Sequence, residues 1–268
     1  MPVTLANLHI YPLKSGAPLA LDQAWVGPRG LENDRCWMVV DDNLRFLTAR
    51  NLPRLTLIRA QPAGAGALDL SAPDMPRLHL RAPVADTTRV AVTVWDDSVD
   101  ALPADSAADA WISRFLDRAC RLVHMDAACR RGIDPDHARV GDEVSFADGF
   151  PLHVISQAAF DQLNDKLAQP VSILRFRPNL VVADCEPHAE DGWKRIRIGK
   201  IEFDVVKPCI RCVLTTIDFE RGSFDPGGEP LRTLLTYRRG DRGVSFGQNL
   251  IARGCGTLRA GDTVEPLA

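Results

Sequence analysis

The sequence predicts a mainly β protein with a few helices, an α+β chain in two parts. Short runs rich in Val, Ile, Thr and Leu recur along most of the 268 residues. Turn residues such as Gly27-Pro28, Asp41-Asp42-Asn43, Gly199-Lys200 and Asp225-Pro226-Gly227-Gly228 separate them. The runs lie too close together for regular βαβ units, which favours barrels or antiparallel sheets.

Taken in order, the first strand is Leu5–Ile10. Ala20–Val26, Arg35–Asp41, Leu55–Gln61, Ala67–Ser71, Val90–Trp95 and Leu122–Met125 follow in the first half. Leu152–Ser156, Asn179–Ala183, Ile196–Lys207, Cys212–Asp218, Phe246–Ala252 and Thr257–Val264 make the second. Three helices interrupt them. Asp105 or Ser106 caps a run in which Ala107, Trp111 and Phe115 recur on one face, and Ser156 caps another with Phe160, Leu163 and Leu167. A third runs from about Pro230, a suitable first-turn proline, to Tyr237. The stretch 126–140, with Arg130-Arg131-Gly132 and Pro135, reads as a loop joining the halves.

Composition bounds the function. With 46% hydrophobic and 25% charged residues the chain is ordinary globular material, not a disordered or collagen-like one. A net charge of −3 gives no reason to expect nucleic acid. No run approaches the roughly 20 apolar residues of a membrane span, and the N-terminus lacks the pattern of a signal peptide. Seven scattered cysteines, an odd number, read as reduced thiols. A cytoplasmic protein with no membrane contact is expected.

The densest reactive stretch is Lys207-Pro208-Cys209-Ile210-Arg211-Cys212. Two thiols three apart can share a metal or form a redox disulfide, and the flanking cations favour thiolate. No second ligand pair completes a structural zinc site. A thioredoxin-type motif should open a helix, whereas residues 213–217 read as a continuing strand. Two half-buried cysteines without function stay open as an alternative. Elsewhere, Lys14 and Ser15 sit in a loop, Arg35 follows Asp34, Arg177 and Asn179 flank Pro178, and Asp148-Gly149 makes a turn. Each alone reads as a solvated residue or local cap. Together they suit a phosphorylated polyanion, to which a helix start near Ser156 could add backbone donors.

Eight blocks in order carry a resemblance: Tyr11-Pro12-Leu13-Lys14-Ser15, Asn33-Asp34-Arg35-Cys36-Trp37, Thr48-Ala49-Arg50, Phe146-Ala147-Asp148-Gly149-Phe150-Pro151, Arg175-Phe176-Arg177-Pro178-Asn179, the Cys209-Ile210-Arg211-Cys212-Val213-Leu214-Thr215-Thr216-Ile217-Asp218 run, Phe246-Gly247-Gln248-Asn249 and Gly261-Asp262. The chain resembles the MOSC family, specifically the branch with a MOSC N-terminal domain. That branch includes the mitochondrial amidoxime-reducing component and the bacterial YcbX-type reductases.

The resemblance implies an N-terminal β-rich domain over residues 1–123 and a MOSC β-barrel over 124–268. The first strand and Lys14 loop would pack with the barrel, and the cofactor cleft would lie between the domains. It implies a molybdenum cofactor, a molybdopterin dithiolene with a phosphate tail. Cys212 would be the metal ligand, and Lys14, Ser15, Arg35, Asp148, Gly149, Arg177 and Asn179 would hold the cofactor. Cys212 and Asp148 are the catalytic candidates, Asp148 by hydrogen bonding at the metal pocket or relaying protons. Cys209 has no assigned ligand role. Pyridoxal phosphate binding is a further family-level expectation, attached to no residue.

The implied activity is reduction of small N-hydroxylated compounds: amidoximes, hydroxylamines and N-hydroxylated bases. The chain ends about five residues after residues 261–264, where YcbX-type relatives continue into an iron–sulfur domain, and it lacks the mitochondrial anchor. Electrons are therefore expected from a separate ferredoxin-, flavin- or cytochrome b5-like protein. Two competing functions stand beside this one. One is a carrier of cofactor or sulfur without turnover; the other is thiol chemistry of Cys209 and Cys212 without molybdenum.

Overall fold

A computed structural model describes residues 2–267. Its largest sheet runs, from edge to edge, through Leu19–Leu21, Thr4–Ile10, Leu180–Ala183, Leu152–Ser156, Gly243–Ala252, Ile201–Ile210, Arg195–Ile198 and Val264–Leu267. The sheet curls back on itself. Thr4 bridges Thr263, and Leu5 exchanges backbone hydrogen bonds with Gly261 and Asp262, both 2.8 Å. Closure removes exposed edges and gives the strands one shared interior. Leu5, Leu8, Val154, Leu180, Ile196, Phe203 and Leu250 fill it, each at most 1% exposed. The N-terminal strand, with Leu19–Leu21 paired to it, thus joins a barrel built otherwise from the second half of the chain.

The rest of the first half forms smaller sheets. Trp37–Val40, Arg121–His124, Asp97–Pro103 and Val90–Val94 make a four-stranded antiparallel sheet. Arg59–Pro62, Leu68–Ser71 and Leu78–Leu80 make another of three strands. Helix α1, Ser106–Leu116, packs between them, with the Asp105 side chain accepting from the Ala108 N–H at its start. The buried face is Ala108, Trp111, Ile112, Phe115 and Leu116; Ala107, placed on that face from spacing, is exposed.

Several expected elements take a different form. The 20–26 run breaks at Asp22 into strands Leu19–Leu21 and Gln23–Gly27. The 196–207 run folds into a hairpin about Gly199-Lys200, and the 257–264 run into two strands. Residues 97–103, missed as a strand, pair with both neighbours. Leu55–Gln61 and Cys212–Asp218 each begin instead as tight 3₁₀ turns, Pro53–Leu57 and Val213–Thr216. One parallel pair occurs, Leu152–Ser156 with Leu180–Ala183, joined across helix α2, Gln157–Asn164. Helix α3, Leu231–Leu234, is shorter than expected. Residues 126–140 carry no helix or strand, as the sequence predicts, and the irregular stretch runs on to Leu152.

One glycine is fixed by this packing. Gly247 has φ +75°, and a Cβ there would strike the Val154 carbonyl oxygen and lie 2.6 Å from His153 Nε2. Gly247→Ala is therefore expected to cost about 2–4 kcal/mol, read as a lowered denaturation midpoint at unchanged m. An unchanged midpoint would show that the barrel wall yields here.

Candidate active-site cleft

Where the barrel meets the first half, a small cleft open to solvent gathers all eight residues singled out from sequence. Lys14, Ser15 and Arg35 come from the turns after the first strand and before the Trp37–Val40 strand. Asp148 and Gly149 come from the long loop, Arg177 and Asn179 from the turn ahead of the Leu180–Ala183 strand, and Cys212 from the end of Ile201–Ile210. Ser15, Arg35 and Arg177 have φ of +66°, +50° and +55°. Such left-handed positions in non-glycine residues are uncommon and concentrate at sites where the surrounding structure holds them.

Two cations meet at Asp148. Lys14 Nζ donates to Asp148 Oδ1 at 2.7 Å and to the Phe146 carbonyl at 2.6 Å, and Arg50 Nη2 donates to Asp148 Oδ2 at 2.6 Å. The Asp148 side chain is 53% exposed at the cleft mouth. The walls around it oppose its charge, but Lys14 and Arg50 outweigh them and hold the carboxyl well below the usual carboxylate range. Lys14 is almost fully buried, and burial pushes its ammonium down to about 8, with Asp148 only partly offsetting it. Arg50 reaches further: its Nε donates to Cys212 Sγ at 3.3 Å. Burial opposes its charge, yet Asp148 and Cys212 together hold it above the ordinary value.

On the other wall, Tyr11 lies between two guanidiniums, Arg35 at 4.4 Å and Arg177 at 4.0 Å from its ring centre. Arg35 donates to Asp34 and, at 3.0 Å, to Asn179 Oδ1. Arg177 donates to the Gly16 carbonyl at 2.7 Å, while its buried Nη2 has no partner among the described residues. Burial, then the neighbouring Arg35, pushes Arg177 down to about 10. Ser15 Oγ accepts from the Ala49 N–H at 3.1 Å, and Asn179 Nδ2 donates to the His9 carbonyl at 3.1 Å. Both side chains are thereby locked.

Sequence reasoning gave no role to several residues that build this cleft. Arg50 lay inside a quoted block. His153 was hidden in an apolar strand; it is buried, and burial and then Arg211 hold its imidazole well below its usual value. Arg211, expected from sequence only as a flanking cation that favours thiolate, donates to Cys209 Sγ at 2.8 Å and to the Phe176 carbonyl at 2.6 Å, leaving its buried Nε without a partner among the described residues. Burial pushes the Cys209 thiol up, with Arg211 partly offsetting it. Arg131 is 5% exposed and donates to the Ser145, Ala147 and Asp148 carbonyls and to the Asp97 carboxylate. It ties the loop carrying Asp148 to the first half of the chain.

Two expectations fail here. Ser156 does not line the cleft: its N–H donates to the buried Glu190 carboxylate at 3.0 Å and its Oγ accepts from the His188 N–H. A buried carboxylate lies at that helix start, and the cleft lining does not include it. The segment after Cys212 is a 3₁₀ turn, so the absence of a helical turn there cannot exclude thiol–disulfide chemistry.

Lys14, Arg35, Arg50, Arg177 and Arg211 face only two carboxylates, Asp34 and Asp148, which leaves three positive charges unmatched in a chain of net charge −3. Among the described residues no group of three or more His, Cys, Asp or Glu could hold a metal. Fold and cleft thus define a two-part β protein with a strongly cationic cleft that two cysteines, Cys209 and Cys212, help to line. The chain belongs to the MOSC family: residues 2–119 match the MOSC N-terminal beta barrel domain and residues 141–265 the MOSC domain. It is similar to mitochondrial amidoxime-reducing component 1 of Mus musculus, 35% identical over 97% of this chain and 81% of that protein. The Homo sapiens protein of that name is 34% identical over 97% and 82%. A molybdenum cofactor sulfurase from Solanum lycopersicum is 29% identical over 91% of this chain but only 32% of its own length.

Proposed function

We propose that this protein is a molybdenum-cofactor-dependent reductase that removes oxygen from N-hydroxylated compounds such as amidoximes, hydroxylamines and N-hydroxylated bases. The observation that carries the reading is the pairing of Cys212, held by Arg50, with a strongly cationic cleft where, among the described residues, no group of three or more metal ligands occurs. A metal held there must bring most of its ligands with it. A pterin dithiolene does so, and its phosphate answers the surplus positive charge. The buried, unpartnered N–H groups of Arg177 and Arg211 fit an anionic ligand as well. The names of the similar reductive proteins support the activity, and that of the sulfurase supports the cofactor.

When bound, the cofactor supplies a two-electron redox centre for N–O reduction, with electrons from a separate ferredoxin-, flavin- or cytochrome b5-like protein. Cys212 supplies the soft thiolate. Lys14, Arg35 and Arg177 neutralise the tail, while Ser15 and Asn179 fix the turns that carry them. Asp148, held ionised, is a poor proton donor near neutrality; it orients Lys14 and Arg50 by accepting from both. Lys14 is the cleft cation with the more accessible proton. All seven cysteines are unpaired, which supports a reducing compartment such as the cytoplasm. No helix among the described residues is long and apolar enough to cross a membrane.

The test is metal and pterin content of protein made in a host with an intact cofactor pathway and molybdate, followed by turnover of N-hydroxylated substrates with a chemical reductant. Near-stoichiometric molybdenum with turnover is expected. No molybdenum or pterin, under conditions that load a related reductase, would overturn the reading. Loading without turnover of any substrate would favour a cofactor or sulfur carrier, the reading that the sulfurase similarity supports.

A further inference from the structure

Trp95 is out of place by local rules. Val94 pairs with Asp97, so Trp95 and Asp96 alone turn the hairpin between Val90–Val94 and Asp97–Pro103. Trp95, first in that loop, has φ +56°. Glycine or asparagine is the usual residue at a positive φ in a two-residue hairpin loop, because a bulky side chain crowds its own backbone there. Burial does not compensate, since Trp95 is 40% exposed. What the indole does contact leads to the cleft. Its ring centre is 4.9 Å from the Arg50 guanidinium and 4.9 Å from the Phe46 ring. Arg50 in turn touches Cys212 Sγ and Asp148. One guanidinium therefore separates the indole from the thiol. Ile210 and Val213, which flank Cys212 in the chain, are also exposed, at 40% and 44%. A polar cleft is thus rimmed by apolar surface, with a strained aromatic on a hairpin tip beside it.

We propose that Trp95, next to Arg50 at the mouth of the cleft, determines specificity there and that the preferred substrates are planar, conjugated N-hydroxylated compounds. This rests on the reductase reading. An aryl amidoxime or N-hydroxylated base lies against the free part of the indole, with its N–O group toward Cys212. A small aliphatic hydroxylamine has no π surface to offer and gains nothing from the indole. Backbone strain held at an exposed aromatic is the kind of outlier that functional sites retain.

The variants are Trp95→Gly, which suits the positive φ and so keeps the hairpin, Trp95→Ala and Trp95→Phe. With a chemical reductant, KM for benzamidoxime is expected to rise about three- to tenfold in the Gly and Ala variants, with kcat within about twofold of wild type. Trp95→Phe should restore most of the loss, and KM for acetamidoxime should not move. A second measurement needs no turnover. Calorimetric binding of benzamide, a neutral planar analogue, should weaken by the same factor, whereas acetamide should not change. Equal losses for planar and aliphatic ligands would overturn the proposal, leaving Trp95 as a brace for Arg50. A defect seen only with a protein electron donor would also overturn it, since the indole would then belong to a docking surface. Absence of molybdenum from the wild type is a separate failure, that of the reductase reading, and the titration with the neutral amides still decides the role of Trp95.

Discussion

Cys212→Ser is expected to lower turnover of N-hydroxylated substrates at least about a hundredfold and to strip molybdenum from the protein, with the fold unchanged. A serine hydroxyl is a hard donor that stays protonated near neutrality, so it replaces neither the softness nor the charge of a thiolate. The substitution is nearly isosteric, and Cys212 is only half-buried at the start of a 3₁₀ turn. Its backbone carbonyl, which accepts from the Thr215 N–H and hydroxyl, is untouched. Thermal unfolding of the cofactor-free protein should therefore match wild type. Cys209→Ser is the control. Burial keeps that thiol protonated, and its sulfur is engaged by Arg211, a bond that a serine oxygen can also accept. Molybdenum content should stay near wild type in Cys209→Ser. Equal loss of activity from the two substitutions, in a protein whose wild type carries no molybdenum, would instead identify the cysteines as a redox pair, and the molybdenum reading would fall.

The same stretch shows what the sequence could and could not convey. Cys212, Lys14, Ser15, Arg35, Asp148, Gly149, Arg177 and Asn179 are separated by as many as 170 positions from their partners, yet they stood out as polar or turn residues between apolar strands. Their convergence was beyond reading, because it depends on the first strand entering a barrel closed by the last. The two stretches misread as strands share a cause. Val, Leu, Ile and Thr favour extended backbone, but a threonine hydroxyl can bond a carbonyl three residues back and close a turn instead. Thr56 does this to Pro53 at 2.7 Å, and Thr215 and Thr216 do it to Cys212 and Val213 at 2.9 and 2.8 Å. Arg131 and Arg50 escaped notice for the opposite reason. An arginine in a loop ordinarily projects into solvent, and only the fold shows one clamping three carbonyls and the other spanning from carboxylate to thiol.

Lys14→Met should separate folding from ligand binding. In the cofactor-free protein the Lys14 charge is a burden, since burial pushes its ammonium down from the usual 10.5 to about 8. A methionine of similar length removes that burden at the expense of the Asp148 and Phe146 contacts, so stability should stay within about 1 kcal/mol of wild type. Retention of the cofactor should nevertheless weaken about ten- to a hundredfold, the worth of a charge-assisted hydrogen bond to the anionic ligand. The pH dependence has a fixed sign. Below about pH 8 Lys14 is charged in both folded and unfolded chains, and its burial penalty is fully present. As pH rises from about 8 toward 10.5 the folded form loses the proton first and the penalty fades. Over that window this group makes the cofactor-free protein more stable while the cleft loses a positive charge. Uptake of cofactor released from a donor molybdoprotein should accordingly fall above about pH 8 in wild type and approach the level of Lys14→Met. A bound anion draws the proton back, so the loaded protein should hold its cofactor to higher pH than it can take it up. Uptake by Lys14→Met equal to wild type at pH 7 would remove Lys14 from the anion-binding set and shift that role to the arginines of the opposite wall.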